Sequence, residues 1–244
     1  MEAAFPKLAL LDVTFGTPAQ NLACDEALLD ELEAGFGEPT LRFWESHVHF
    51  VVLGYSNKID SEVNRAECER RGIPILRRSS GGGTVLQGPR CLNYNLTLPI
   101  TDETSSITAT NRFVMERHRE AVSTLVGREV QQQGCTDLTI GSLKFSGNAQ
   151  RRKSRALVFH GSFLLNFDLP LIDAVLRHPS KEPDYRGHRG HRDFLTNLNV
   201  RSEAVKAALI KAWAATEVVR HPSHVRIEGL VKERYENREW NEKF

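Results

Sequence analysis

Two observations predict an α+β fold. Strand-like runs cluster with antiparallel character, and helical stretches are scattered between them, so the order does not repeat as βαβ units. The chain has 244 residues, 40% of them hydrophobic and 8% aromatic. That suffices for one ordinary core, and no repeat, low-complexity block or linker divides it, so residues 1–244 are expected to form one domain.

Lys and Arg number 32 against 31 Asp and Glu, a net charge of +1. This balance gives no global push toward nucleic acid or a membrane surface. The N-terminus carries an early acid and no basic stretch, so it does not read as a secretory signal. The longest apolar runs, such as residues 49–53, are far too short to span a bilayer. Cys24, Cys68, Cys91 and Cys135 are irregularly spaced with no C-x-x-C pair. They read as reduced thiols of a cytoplasmic protein, and no protein motif supplies metal ligands.

Each element has its own local signal. Thr17 is placed as an N-cap and Pro18 as the first helical residue. The helix that follows shows Leu22, Leu28, Leu29 and Leu32 on one face and stops near Gly35. Residues 41–44 and 50–53 read as strands, and 61–71 as one helix stopped by Gly72. A further strand-like run covers 73–76. Residues 92–98 alternate Leu92, Tyr94, Leu96 and Leu98 against Asn93, Asn95 and Thr97, the pattern of a half-buried strand. A long helix is expected over 108–126, and a hairpin over 137–145 turning at Gly141-Ser142. Residues 157–166 read as a strand pair or one long strand holding a turn at His160-Gly161-Ser162. A short helix follows over 171–177, then a polar stretch over 180–193. A helix over 202–219 with Ser202 as N-cap and one or two turns over 228–235 complete the chain.

The densest chemical signal runs from residue 76 to 94, LRRSSGGGTVLQGPRCLNY. Gly81, Gly82 and Gly83 let the backbone approach a ligand, and successive N–H groups in such a turn can cradle an anion. Arg77 and Arg78 are expected to bring charge to its rim. A plain glycine turn beside a solvated Arg pair is the bland alternative. The second signal is KFSGNAQR over 144–151, where Lys144 offers a point charge suited to a phosphate or developing oxyanion. In the third, His160 sits in an apolar run beside Gly161. A lone histidine there is as much a core residue as a site residue.

In this order, R-R-x-S-G-G-G, K-x-S-G-N-A-x-R and H-G-S-x-L-L-N resemble the lipoate–protein ligase A family. The resemblance covers roughly residues 8–200 and includes Phe43-Trp44, the turn ending at Asn57, and Asn21 with Asp25-Glu26 in the opening helix. It implies the fold of biotin and lipoate ligases and class II aminoacyl-tRNA synthetases, a mixed, mainly antiparallel sheet flanked by helices. It further implies ATP-dependent attachment of lipoate or octanoate, through an acyl-AMP, to a lysine of a lipoyl-domain or glycine-cleavage-H-like acceptor. ATP and Mg2+ are the implied cofactors. Lys144 is the implied catalytic residue, at the carboxylate–phosphate junction. Arg78, Ser80 and Gly81 to Gly83 would line the acyl and phosphate side. Trp44 would wall the acyl tunnel. Asn148, Arg151, His160 and Gly161 would border the pocket, with Ser162 near the nucleotide.

The chain also departs from the family pattern. Gln87 and Gly88 stand where many ligases have His-Asp, which puts the nucleotide contacts at Gln87 in question. About 46 residues follow Leu198, too few for the accessory domain of many ligases. A single catalytic domain, a separate accessory subunit or a different reaction would each account for that. Cys135, just before Lys144, raises the different reaction: an ATP-independent octanoyl transferase with Cys135 as nucleophile. The competing expectation is that Cys135 is a buried packing thiol. The Arg- and His-rich run 185–192 holds two histidines three apart without carboxylate or Cys companions, a poor metal pattern. It suits an acceptor or nucleotide contact better than nucleic acid.

Overall fold

The computed structural model describes residues 5–217 and 222–244. Among these, eleven strands form two sheets. In chain order they are β1 (Ala9–Asp12), β2 (Thr40–Trp44), β3 (Phe50–Leu53), β4 (Ile75–Arg77), β5 (Val85–Gln87), β6 (Cys91–Pro99), β7 (Gln131–Gln133), β8 (Asp137–Ile140), β9 (Leu143–Arg152), β10 (Ala156–Leu164) and β11 (Thr216–Glu217). The large sheet has the order β11-β1-β2-β6-β10-β9-β8-β7, and the small one β4-β3-β5. β1 runs parallel to both its neighbours, and every pairing from β2 to β7 is antiparallel. The fold is therefore α+β with a mixed, mainly antiparallel sheet.

The helices are α1 (Pro18–Ala34), α2 (Ile59–Glu62), α3 (Arg65–Arg71), α4 (Ile107–Val126), α5 (Leu169–Val175), α6 (His191–Phe194), α7 (Ser202–Trp213), α8 (His224–Leu230) and α9 (Arg238–Asn241). The side chains of α4 and α7 pack on one face of the large sheet, against Leu41, Phe43, Leu92, Tyr94, Leu96, Phe145, Phe159 and Phe163. On the other face α1 joins Trp44, Phe50, Val52 and α8. The small sheet is backed by Ile59, Cys68 and the apolar residues of α5. None of the described helices is long and apolar enough to cross a membrane.

Local signals account for several boundaries. Thr17 and Gln20 form a reciprocal capping box at the start of α1, with Pro18 at the first helical position, which satisfies two otherwise orphaned donors. Gly35 and Gly72 close α1 and α3 in the left-handed conformation, where a Cβ is disfavoured. The β8–β9 hairpin turns at Gly141-Ser142 as expected, with Gly141 at φ 58°.

The differences from expectation have tertiary causes. β10 is a single unbroken strand, with no turn at His160-Gly161-Ser162, because it is paired along its length to β6 and β9. β6 is buried on both faces, including Asn93, Asn95 and Thr97, since α1 covers its polar side. The expected helix over 61–71 is interrupted at Val63, whose backbone is extended and bridges Leu176. Arg201, not Ser202, is the N-cap of α7, and Ser202 Oγ turns to Glu203. That helix ends at Trp213, with Ala214 left-handed at φ 47°, before β11. Residues 218 and 219 lie outside the described residues. The polar stretch 180–193 is partly ordered, holding a 3-10 turn at Asp184–Arg186 and then α6.

Buried His118 contributes to an acid limit. His118 is fully buried between Tyr94 and Trp213. Trp213 Nε1 donates to its Nε2 at 2.9 Å, so Nδ1 carries the proton. Burial, helped by the charge of Arg117, pushes the imidazole down to about 3. Below about pH 6.5 the unfolded chain therefore takes up a proton that the folded one refuses, and stability falls by up to about 1.4 kcal/mol per pH unit. His118→Gln is expected to flatten the decline of Tm between about pH 6.5 and pH 4 relative to wild type. Parallel Tm profiles in that window would refute the assignment.

Candidate active site

The two sheets enclose a cavity of ≈ 470 Å³, within the range of small-molecule sites. α1, β2, β3 and β5 give it an apolar wall of Leu22, Trp44, Val52 and Val85. Trp44 is oriented by its Nε1, which donates to Asp25 Oδ2 at 3.3 Å, while Asp25 Oδ1 is held at 2.5 Å by Arg42. Lys144, Arg177, Lys181 and Arg186 bring cations to the lining. Several lining polar atoms are buried with no protein partner: Thr84 Oγ1, Gln87 Oε1, Asn93 Oδ1, Ser146 Oγ and Arg186 Nη2. Buried polar atoms are seldom left unpaired, so these suit a polar ligand or water.

Lys144 reaches the cavity from the start of β9. The β8–β9 register slips there: Leu138 faces Ser146, and Thr139 faces Lys144. Phe145 is thus the extra residue of a bulge, a device that re-aims side chains near sites. Lys144 Nζ is 2.9 Å from Asp137 Oδ1, and Tyr185 Oη donates to Asp137 Oδ2 at 2.8 Å. A Cβ on Gly147 would lie 2.8 Å from both Lys144 Cε and Nζ. The bare backbone there is the bed on which the ammonium lies.

Asn148 is equally constrained. Its Oδ1 accepts from Tyr94 Oη at 2.5 Å, and its Nδ2 donates to the Thr136 carbonyl. Thr136 Oγ1 donates back to the Asn148 carbonyl at 3.1 Å. The Tyr94 bond passes over Gly161, which pairs with both residues; a Cβ there would collide with the Asn148 amide.

The glycine turn is braced from within. Arg78 is buried and donates to the carbonyls of Gly81 and Gly83 at 2.7 Å and to Ser80 Oγ at 3.1 Å. Burial pushes its guanidinium down to about 10, still cationic at neutral pH. Gly82 sits at φ 89°, and its carbonyl occupies the space a Cβ on Gly54 would need. Arg77 is not on the rim. It is fully buried, donating to the carbonyls of Gly54, Tyr55 and Asn57 and to that of Asn241 near the C-terminus. His160 Nε2 shares a 2.6 Å hydrogen bond with Ser80 Oγ. Burial and the Arg78 charge push its imidazole down to about 3, leaving a neutral ring that is a weak base at pH 7.

Of the residues singled out in the sequence, Trp44, Arg78, Gly83, Gln87, Cys135, Lys144, Asn148, His160, Gly161 and Ser162 line this one cavity. Ser80, Gly81 and Gly82 stand behind Gly83 in the braced turn. Arg151 does not line it; its Nη1 pairs with Glu26 Oε1 at 2.6 Å. Cys24, Cys68 and Cys91 are buried, but Cys135 is exposed, so the packing expectation fails for that thiol: it follows the turn at Gly134, outside the strands. The residue missed in the sequence is Asp137, whereas Tyr185 and Arg186 belong to the run 185–192 read there as an acceptor or nucleotide contact. Asp137 had a readable signal, because the tight turn at Gly141-Ser142 folds β8 back along β9 toward Lys144. What the run 185–192 did not show is that Tyr185 meets Asp137.

The family model for the lipoyl protein ligase A/B catalytic domain matches residues 17–214. The chain belongs to this family. It is 26% identical to octanoyltransferase LipM of Geobacillus kaustophilus, over 95% of the chain and 96% of that protein. It is also 26% identical to lipoate-protein ligase A subunit 1 of Thermoplasma acidophilum, over 96% and 95%. A crystal structure of a lipoate-protein ligase A bound with ATP superposes with a TM-score of 0.83 at 25% identity, covering 97% of this chain and 98% of that one. The family thus holds both ligases and transferases, and residues 17–214 contain the whole cavity wall from Leu22 to Leu195.

Gly161→Ala is expected to displace the Asn148 amide, breaking its bonds to Tyr94 and Thr136. Overpacking of this kind costs roughly 1–3 kcal/mol, read as a lower denaturation midpoint together with weakened acyl-substrate binding. Wild-type stability and binding in this variant would refute the role given to the bare backbone.

Proposed function

We propose that this chain joins lipoate or octanoate to a lysine of a lipoyl-domain acceptor with cleavage of ATP, through an acyl-adenylate. The observation that carries the reading is Lys144. Its ammonium is fixed by Asp137 over Gly147, in a cavity that offers both an apolar wall and further cations. A free carboxylate does not acylate an amine at neutral pH. The acid must first attack the α-phosphate of ATP, taken up as its Mg2+ complex, releasing pyrophosphate and leaving acyl-AMP. Two anions must then be held together, and fixed positive charge offsets their repulsion. The acceptor amine next attacks the acyl carbon and gives up a proton to water, and AMP leaves with the bond pair. The ATP-bound relative with TM-score 0.83 supports the nucleotide step, and the relative named as a subunit 1 supports a separate accessory subunit.

A second reading has its own observation. Cys135 is exposed and lines the same cavity, and six relatives are named octanoyltransferases against two named lipoate-protein ligase A. The thiolate would take octanoyl from a carrier-protein thioester, freeing the carrier thiol, and pass it to the acceptor lysine. Against it, the cations around Lys144 have no polyphosphate to neutralise in such a reaction. Incubation with lipoate or octanoate, ATP and magnesium is expected to release pyrophosphate and yield an acyl-adenylate. Turnover without ATP from octanoyl-carrier protein, lost in Cys135→Ser with an acyl thioester trapped on wild type, would establish the second reading instead.

Lys144→Ala is expected to lower the adenylation rate by about 100-fold or more while the protein stays folded. Gly147→Ala is expected to act the same way, because the added methyl displaces a flexible ammonium rather than backbone; its Tm should remain near wild type. Full activity in folded Gly147→Ala would show that the ammonium position is immaterial.

A further inference from the structure

Near the cavity mouth, between α5 and α6, three side chains converge. His178 Nε2 lies 3.0 Å from Glu182 Oε2, and His188 Nδ1 lies 2.6 Å from Glu182 Oε1. The three donor atoms are all within 4.8 Å of one another. We propose that His178, Glu182 and His188 form a binding site for a first-row divalent transition cation, with zinc the best match. This inference is independent of whether the acyl chemistry uses ATP or a thiol.

The donor set selects the metal class. Two imidazoles and one carboxylate suit zinc and its neighbours, whereas calcium and magnesium prefer oxygen alone. Zinc–ligand bonds of about 2.0–2.2 Å put ligand atoms roughly 3–4 Å apart, so a closure of about an ångström completes the site. A cation placed between them takes the lone pairs of Nε2 and Nδ1, and each ring proton moves to the opposite nitrogen. For His188, 90% exposed, that nitrogen meets water. Three protein ligands leave a fourth position for water or a ligand oxygen.

The backbone already turns His188 toward the carboxylate. Gly187 and His188 are consecutively left-handed, at φ 58° and 59°, which is uncommon for histidine. The His188 N–H donates to Glu182 Oε1 at 3.1 Å. Arg186 Nε stands 3.4 Å from Glu182 Oε2 but also donates to the Arg189 carbonyl at 2.9 Å, so it does not depend on the carboxylate. The neighbouring His191 is not part of the set; it is buried with Nε2 3.0 Å from the Arg177 carbonyl. Lys181, Pro183 and Arg186, between the ligands, line the cavity. A bound cation would therefore pin this stretch of the cavity wall.

The test uses untagged full-length protein stripped with a chelator. Titration with Zn2+ by calorimetry, and with Co2+ by visible absorption, should each show one equivalent bound per chain. His178→Ala and His188→Ala should each weaken Zn2+ binding by about 100-fold or more, since loss even of a partner behind a ligand costs ~10–100-fold. Zn2+ should slow tryptic cleavage at Lys181 and Arg189 in wild type but not in either variant. Cys135→Ser should bind as wild type does. Absence of stoichiometric binding, undiminished affinity in His188→Ala, or loss in Cys135→Ser instead would overturn the proposal.

Discussion

The site depends on missing side chains at the centre of the large sheet. β6, β10 and β9 are in register so that Tyr94, Gly161 and Asn148 form one row. Only a bare Gly161 lets the tyrosine hydroxyl reach across to the asparagine amide. That bond fixes Asn148, which holds Thr136 through two hydrogen bonds. The next residue is Asp137, which holds Lys144, and Lys144 lies over Gly147, the second bare position. The position of one ammonium is thus traced through strand register and two glycines. Close packing makes such a chain stiff, because no member can shift by a methyl group without moving the next.

Buried charge plays a complementary part. Arg42 with Asp25, and Glu26 with Arg151 and Arg234, are ion pairs under α1. Buried pairs of this type contribute little net stability, but breaking one by removing a partner is costly. Here they order the apolar wall and dock the C-terminal helices. Arg77 joins the turn after β3 to the chain end, and Arg78 threads the glycine turn. Both arginines act on backbone carbonyls. Arg78 lines the cavity and also braces the loop that carries Gly83 to it.

The neutral His160 belongs to the same bracing. Half-buried beside a guanidinium, the ring is cheaper to keep uncharged, and its Nε2 serves Ser80. The unpaired polar atoms lining the cavity come from the segment leading into β5, from β5, β6 and β9, and from the loop at Arg186.

The sequence by itself determined the elements whose signals are local. The Thr17–Gln20 box, the left-handed glycines after α1 and α3, the hairpin turn at Gly141-Ser142 and the alternation of β6 each depend on residues a few positions apart. Their energetics are the same in a short stretch as in the whole protein. The glycine run and Lys144 were legible through residue type, and the other motif residues that share the cavity through the resemblance to the lipoate–protein ligase A family. Tertiary structure decided the rest. Whether Asn93 and Asn95 face water or α1, whether His160 sits in a turn or an unbroken strand, and whether Cys135 packs or lies open depend on neighbours far along the chain. So does the meeting of Asp137 with Tyr185, and of His178 with His188. Burial, strand register and ion pairing arise only when distant segments meet, and no local propensity encodes which segments those will be.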